Sequence, residues 1–176
     1  MMKKIINKSD AIILPGVGSF EHAMSSLDKL KLIDTIISFA NSGRPLIGIC
    51  LGMQLLFEKS YEFGSHDGLG LISGEVIKLD VNYPYTVPHV GWNRLKFVDE
   101  KKHVIFNGIN EKEYFYFVHS FICNPTNNVE IASTAKYDKV EFCSAVINEN
   151  IYGFQFHPER SAKAGLIIYK NLKKII

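Results

Sequence analysis

The apolar positions in the first third of the chain alternate between strand-like runs and helical stripes. Short continuous apolar runs at residues 11–14 and 45–49 have the length of buried strands. Apolar residues at helical spacing follow at 19–30, 32–40 and 51–57. Strands that alternate with helices in this way favour a parallel sheet covered by helices.

The pattern changes after residue 57. Residues 58–70 are rich in glycine and histidine and predict a loop. Strand patterns dominate from there, at residues 74–80, 92–98, 114–121, 140–147 and 151–156, and a closing helix is predicted at 166–176. We therefore expect one α/β domain over residues 1–176, with a mostly parallel central sheet flanked by helices and antiparallel strands in the second half.

Composition and charge exclude several classes of partner. The net charge of +2 at pH 7 comes without a basic stripe, so neither nucleic acid nor a membrane is expected as the main partner. No segment approaches the ~18 apolar residues that span a bilayer, and the N-terminus lacks the apolar core of a signal peptide. Cys50, Cys123 and Cys143 are odd in number and lack C-x-x-C spacing, so we expect no metal site, no disulfide framework and a cytoplasmic location.

The strand at residues 45–49 ends in a candidate nucleophile. Gly48 and Gly52 flank Cys50 at minus two and plus two, as glycines flank the serine of a G-x-S-x-G nucleophile elbow. A thiol at the start of a helix is favoured as the attacking thiolate by the positive end of the helix dipole. A buried structural cysteine in a parallel strand fits this stretch equally well, so both interpretations stay open here.

A second candidate group ends the last predicted strand, at His157-Pro158-Glu159. Proline biases the preceding residue to extended geometry, so the imidazole and the carboxylate should project to the same side. A carboxylate in that position can orient the imidazole, as the third member of a nucleophile triad does. A histidine before proline is more often a turn residue. Because Cys50 and His157 both terminate apolar strands, however, the carboxyl edge of a parallel sheet would bring them together.

A glycine-rich segment follows the first predicted strand. Gly16 and Gly18 would let backbone N–H groups approach a ligand closely. The segment is not a dinucleotide-binding fingerprint, because Glu21 stands where the third glycine is needed.

The elbow sequence GICLGMQ at 48–54, together with HPE at 157–159, resembles the class I (triad) glutamine amidotransferases. Four separated motifs follow one another along the chain: LPGVGSF at 14–20, PHVGWN at 88–93, YFVHSF at 116–121 and HPERS at 157–161. They are similar to one branch of that family, the glutaminase subunit of imidazole glycerol phosphate synthase, and the similarity covers nearly the whole chain. The resemblance implies a flavodoxin-like amidotransferase fold.

The resemblance also implies a role for each matching residue. Cys50 would attack the glutamine carboxamide, His157 would carry the proton to the leaving ammonia, and Glu159 would hold His157. An oxyanion hole and a holding site for the amino-acid end of glutamine would complete the site, without metal or cofactor. The residues implied for these two roles are Gly16, Val17, Gly18, Leu51, Gln54, His119, Ser120 and Phe121.

A partner is implied as well. In this branch a cyclase subunit with a (β/α)8 barrel forms a heterodimer and receives the ammonia through a channel. It uses the ammonia to make imidazole glycerol phosphate and AICAR in histidine biosynthesis. Trp92, Asn93, Tyr116 and Arg160 would lie at the interface. Arg160 stands where the branch usually has lysine, which keeps the charge and changes the donor geometry.

Several alternatives stay open at this point. His89 and Trp92 could serve only packing, and His119 could be a core histidine rather than a substrate contact. The chain could instead be a paralogue that supplies ammonia for amidination of a surface-polysaccharide sugar, or a catalytically silent binding subunit, which the intact triad disfavours. The family normally has a further βαβ element of ~30 residues before the strand at Leu14. We expect this element to be missing, a sheet edge to be bare and stability to be lowered.

Overall fold

The structure is a computed structural model that describes residues 2–98 and 103–176. The α-helices within these residues are α1 Met2–Lys8, α2 Phe20–Lys29, α3 Ile33–Ala40, α4 Leu51–Leu55 and α5 Ala162–Leu172. The strands there are β1 Ile12–Gly16, β2 Leu46–Cys50, β3 Phe57–Ser60, β4 His66–Asp67, β5 Ile72–Lys78, β6 His89–Arg94, β7 Lys96–Phe97, β8 Tyr114–His119, β9 Phe121–Pro125, β10 Ile131–Tyr137, β11 Val140–Asn148 and β12 Ile151–Phe154. Short 3-10 helices lie at Val104–Phe106, Asn128–Glu130 and Pro158–Arg160.

A mixed sheet organises the molecule. In the described part of the chain its order is β1-β2-β12-β11-β9-β5-β3-β4, with β10 beside β11 and β7, while β6 and β8 pair as a separate two-stranded sheet. The pairings β1–β2, β2–β12 and β3–β5 are parallel, and the other pairings within the ten strands are antiparallel. The α/β fold is confirmed, with antiparallel strands from the second half joining a parallel ladder.

Strand β2 is the centre of that parallel ladder and is buried at every position. A strand covered on both faces reads as a continuous apolar run rather than an alternating one, which explains the pattern at Leu46–Cys50. Its alternate side chains enter different apolar clusters: Ile47 and Ile49 pack with α5, and Leu46 packs with α2, α3 and α4. The sheet is therefore a layer between helices, and its core lies on both faces.

The parallel register places three strand ends together. Gly16 of β1 lies opposite Cys50 of β2, and Phe154 of β12 lies opposite Ile49. The segment that follows β12 therefore starts beside the end of β2. This is the shared edge that the sequence predicted for Cys50 and His157.

Several predicted boundaries were wrong. The helix expected at 51–57 ends at Leu55, and the loop expected at 58–70 contains β3 and β4, because β3 pairs with β5 over a register that the local pattern does not reveal. The closing helix covers Ala162–Leu172 rather than 166–176. Residues 92–98 divide between β6 and β7, and α1, β9 and β10 were not predicted at all.

At the start of the sheet, β1 pairs with β2 alone among the described residues. Its Ile13 side chain is half exposed. None of the described helices is long and apolar enough to cross a lipid bilayer.

Candidate active site

Cys50 sits on a sharp turn between β2 and α4. Its backbone has φ 55° and ψ −112°, a conformation that non-glycine residues rarely adopt and that is typical of strained functional turns. The flanking glycines make the turn sterically feasible. A Cβ on Gly48 would lie 2.6 Å from the carbonyl oxygen of Gly52, and one on Gly52 would overlap the carbonyl oxygen of Leu14. The geometry is that of a nucleophile elbow, and the thiol is also buried.

His157 is fixed just after β12 by hydrogen bonds of its ring and its backbone, one of them from the backbone N–H of Arg160 at 3.0 Å. Its Nδ1 lies 2.6 Å from Oε1 of Glu159. Its backbone N–H donates to the carbonyl of Tyr116 at 2.9 Å, and its carbonyl accepts from the hydroxyl of Ser161 at 2.6 Å. Nε2 is buried and has no hydrogen-bond partner in the structure. One nitrogen is thus held by a carboxylate while the other is left to exchange a proton.

A cavity of about 370 Å³ joins Cys50 and His157. Arg160 lines this cavity, and so does every residue that the family resemblance implies for substrate binding. These substrate-binding residues are Gly16, Val17, Gly18, Leu51, Gln54, His119, Ser120 and Phe121. Glu159 lies behind His157 rather than on the cavity wall. The structure therefore brings together groups that are more than a hundred residues apart in the chain.

The environment of Cys50 favours the neutral thiol. Burial raises the pKa of Cys50 to about 11, which the backbone N–H of Leu51 partly offsets and the negative charge of Glu159 reinforces. The thiol donates to the carbonyl of Val118 at 3.7 Å. The sequence pattern predicts the opposite, a thiolate favoured by a helix dipole. Helix α4 has only five residues, so its dipole is small and the cost of burial dominates.

His119 belongs to a buried pair beneath the cavity. Its Nε2 lies 3.0 Å from Nδ1 of His89, and its Nδ1 lies 3.0 Å from the carbonyl oxygen of Phe121. Burial lowers the pKa of His89 to about 4 and that of His119 to about 3, so both rings are neutral at pH 7. The ring nitrogens of His119 are thus used within the protein, and its backbone is the part left for a ligand.

A carboxylate on the cavity wall and a buried amide beside Cys50 were not predicted from the sequence. Glu62 lines the cavity, and its carboxylate accepts the backbone N–H of Phe20. Gln155 is fully buried, and its amide reaches Cys50 and Gln54. Glu62 fell in a predicted loop without a motif. Gln155 carried a signal, because it is a polar residue between the apolar Phe154 and Phe156.

Three of the residues expected at a partner interface, Trp92 on β6, Tyr116 on β8 and Arg160 in the 3-10 helix after His157, form one group next to the site. Trp92 is 50% exposed and packs edge-to-face on Tyr116, with 5.8 Å between ring centroids. The guanidinium of Arg160 lies 4.4 Å from the centroid of the Tyr116 ring. Asn93 instead donates to the carbonyl of Lys136 at 2.8 Å. In the described residues, no group of histidine, cysteine and acidic side chains could hold a metal ion.

The chain belongs to the class-I glutamine amidotransferase family, whose sequence model matches residues 1–173. The fold agrees with this assignment. A solved structure described as a glutamine amidotransferase superposes with a TM-score of 0.71 at 17% sequence identity, covering 97% of this chain and 82% of that one.

Among individual proteins, the chain is similar to subunit HisH of imidazole glycerol phosphate synthase. It is 46% identical to that subunit from Pyrococcus furiosus over 170 residues, which cover 97% of this chain and 84% of that protein. With the subunit from Aquifex aeolicus it shares 42% identity over 171 residues, covering 97% of this chain and 80% of that protein. The family resemblance inferred from the motifs is confirmed.

Proposed function

We propose that this chain is the glutaminase subunit of an imidazole glycerol phosphate synthase. It would hydrolyse glutamine to glutamate and supply the ammonia to a partner subunit. One observation carries the proposal. A cysteine at a strained elbow shares a cavity with a histidine whose Nδ1 is bound to a carboxylate and whose Nε2 is unpartnered. The sequence similarity to HisH subunits supports the choice of substrate.

The triad would act by nucleophilic catalysis. The Cys50 sulfur attacks the side-chain carbonyl carbon of glutamine while Nε2 of His157 takes the thiol proton. His157 then gives that proton to the leaving nitrogen, the C–N bond breaks, and ammonia departs from a glutamyl thioester. Water attacks the thioester, His157 accepts its proton and returns it to sulfur, and glutamate is released. Glu159 orients the imidazole and stabilises its protonated form throughout.

Backbone N–H groups would stabilise the oxyanion formed in the attack. Leu51 follows the nucleophile and supplies one N–H, as the residue after an elbow nucleophile does. The second donor would come from Gly16, Val17 or Gly18, because Pro15 has no N–H. Val17 is 87% exposed and Gly18 has φ 93°, so this segment has room to reorient its peptides. Removing one such donor typically lowers turnover by about 10² to 10³.

The amino-acid end of glutamine would bind at the other side of the cavity. The backbone of His119, Ser120 and Phe121 offers peptide groups there, and Gln54 lies one helical turn beyond Cys50. Glu62 also lines the cavity, and its carboxylate suits the ammonium group of an amino acid.

The ammonia acceptor would be a cyclase subunit with a (β/α)8 barrel, bound as a heterodimer. The similar HisH proteins are subunits of imidazole glycerol phosphate synthase. On this chain the exposed Trp92, with Tyr116 and Arg160, supplies the aromatic and arginine side chains that are enriched at protein interfaces. A cytoplasmic location suits the three free cysteines.

Glutamate release from glutamine, measured with the cyclase subunit present, tests the proposal. Cys50→Ser should abolish release, because a hydroxyl is a far weaker nucleophile at the same position. Cys143→Ser is the matched control, since its sulfur already donates to the carbonyl of Ala145 at 3.4 Å and a hydroxyl can replace it there. Release that persists in Cys50→Ser would refute the assignment. Capture of a sugar-amidating synthase instead of the cyclase would favour the paralogue.

A further inference from the structure

We propose that the side-chain amide of Gln155 contributes to catalysis: its N–H group stabilises the Cys50 thiolate, while its carbonyl accepts a hydrogen bond from Gln54. The inference deepens the proposed function, because it takes Cys50 as the nucleophile. Neither the elbow motif nor the triad includes this residue. Its evidence is its position, its burial and the direction of its hydrogen bonds.

Gln155 is aimed at the site by strand alternation. Its backbone N–H donates to the carbonyl of Ser144 on β11 at 2.9 Å, so the chain is fixed immediately after β12. Its neighbours Phe154 and Phe156 both enter the apolar cluster under α5. Gln155 therefore projects to the opposite face, toward α4 and the elbow. Its side chain is 0% exposed, and a buried amide is costly unless its groups are paired.

The hydrogen bonds define which end of the amide faces the sulfur. Nε2 of Gln54 donates to the carbonyl of Phe121 at 3.1 Å and to Oε1 of Gln155 at 3.2 Å. The oxygen of Gln155 must therefore face Gln54, since a flipped amide would set two donors against each other. Its Nε2 is left to donate to Sγ of Cys50, at 3.9 Å. One amide thus joins the nucleophile to a residue of the substrate wall.

This contact becomes stronger when the thiol loses its proton. In the neutral state the Cys50 thiol donates to the carbonyl of Val118, and the Gln155 N–H is a weak donor to a neutral sulfur. Once His157 takes the proton, the same N–H faces a full negative charge, and hydrogen bonds to ionised groups are roughly twice as strong as neutral ones. The backbone N–H of Leu51 acts in the same direction. Gln155 then favours the reactive state over the resting state, which is what catalysis requires.

Among the residues that the structure describes, six other titratable or charged groups face this sulfur or line its cavity, and they are present in the parent and in every Gln155 variant. They are Glu62, His119 on β8, Cys123 on β9, and His157, Glu159 and Arg160 after β12.

Two variants separate the two ends of the amide. Gln155→Glu keeps an oxygen for Gln54 and removes the donor to Cys50, whereas Gln155→Met removes both with little change in size. Asn171→Leu is the matched control. Asn171 is also a buried amide, and its Nδ2 donates to the carbonyls of Ile105 and Asn107, away from the cavity.

The readout is the rate at which iodoacetamide alkylates Cys50 at pH 8, followed by peptide mass spectrometry on the folded chain. We expect the rate to fall about three- to tenfold in Gln155→Met and further in Gln155→Glu. The thiolate becomes scarcer by about tenfold, and the greater nucleophilicity of a more basic thiolate offsets part of this loss. Asn171→Leu should alkylate at the parental rate even though it melts at a lower temperature.

With the cyclase subunit present, glutaminase assays add a second readout. Gln155→Glu should lower kcat by about tenfold or more and leave KM for glutamine within about twofold, because Gln54 keeps its acceptor. Alkylation at the parental rate in both Gln155 variants, or a loss seen only in KM, would overturn the inference. Alkylation needs no turnover, so it tests Gln155 even if the proposed glutaminase function is wrong. Gln155→Met remains as the test if Gln155→Glu does not fold.

Discussion

Two properties of Cys50 have opposite effects on the reactivity of its sulfur. The strained elbow exposes its sulfur to the cavity, while burial raises its pKa to about 11. At neutral pH the resting group is a thiol that donates to the carbonyl of Val118. Attack therefore needs a base nearby, and the unpartnered Nε2 of His157 in the same cavity suits that role. A neutral resting thiol also protects the nucleophile from oxidation, because the thiolate is the form that oxidants attack.

Because the pKa of Cys50 is raised in the folded chain, we expect the free energy of unfolding to depend on pH. The folded chain holds this proton more tightly than the unfolded chain, whose thiol has the ordinary value of 9.0. The resulting stabilisation is complete below about pH 9 and is lost as the pH rises through about 11. We expect the free energy of unfolding, measured with urea, to fall for this reason by about 2 kcal/mol between pH 8 and pH 11.

Cys50→Ser isolates this contribution, because serine does not titrate in that range. Cys123 and Cys143 are also buried thiols with raised pKa values, and they remain in both proteins. The stability difference between the parent and Cys50→Ser should therefore change with pH by the stated amount. Parallel curves for the two proteins would contradict the prediction.

The sequence was most informative where chemistry depends on local spacing. The elbow is encoded within the five residues 48–52, by the two glycines that flank Cys50. The histidine–carboxylate pair is encoded within the three residues 157–159, by the proline between its members. Both were therefore predictable. Glu62 was not, because it reaches the cavity only through tertiary packing, and for Gln155 the one signal was its polarity between two apolar neighbours. Nothing in the sequence near Glu62 indicates that its carboxylate meets the first N–H of α2.

At the scale of elements, prediction failed where strand pairing overrode local pattern. The glycine-rich stretch after α4 forms β3 and β4 because β5 offers a parallel partner to β3. Helix α5 begins four residues earlier than its apolar stripe suggested. Its early turn packs tightly on the 3-10 helix Pro158–Arg160, since a Cβ on Gly165 would overlap the carbonyl oxygen of Pro158. The helix and the histidine segment therefore form one packed unit.

Ser161 connects that unit to β8. Its hydroxyl donates to the carbonyl of His157 at 2.6 Å and accepts the backbone N–H of Tyr116 at 3.0 Å, and the residue is fully buried. We expect Ser161→Ala to lower the free energy of unfolding by about 1 to 3 kcal/mol, because the backbone N–H of Tyr116 loses its acceptor and the carbonyl of His157 keeps only the N–H of Arg160. We also expect kcat to fall, because the carbonyl of His157 loses the hydroxyl that connects it to β8.

Urea unfolding and glutamate release measure these two effects. Ser26→Ala is the control, since the exposed Ser26 hydroxyl donates to a carbonyl of its own helix. This variant should change the free energy of unfolding by no more than about 0.5 kcal/mol and leave glutamate release at the parental rate. A Ser161→Ala variant as stable and as active as the parent would show that β8 alone suffices to place His157.

At the scale of the whole molecule, the candidate site and the candidate interface share one strand. The carbonyl of Tyr116 on β8 accepts the backbone N–H of His157, while its ring contacts both Trp92 and Arg160. A partner that packs on Trp92, Tyr116 and Arg160 would therefore contact β8, the strand to which the backbone of His157 is hydrogen-bonded. Val118, whose carbonyl holds the Cys50 thiol, lies on the same strand two residues further along. This arrangement offers a short physical route from partner binding to catalysis.

Trp92→Ala tests the proposed interface directly. Trp92 is half exposed and packs on Tyr116, so truncation should leave the fold intact while removing an aromatic anchor. We expect the Kd for the cyclase subunit, measured by calorimetry, to rise by about 30-fold or more, as is typical of interface hot spots at about 2 kcal/mol. Glutamate release should then need a correspondingly higher partner concentration to reach its maximum. Leu30→Ala, which truncates a similarly exposed apolar side chain at the end of α2, should bind as the parent does. An unchanged Kd for Trp92→Ala would place the partner on another face of the molecule.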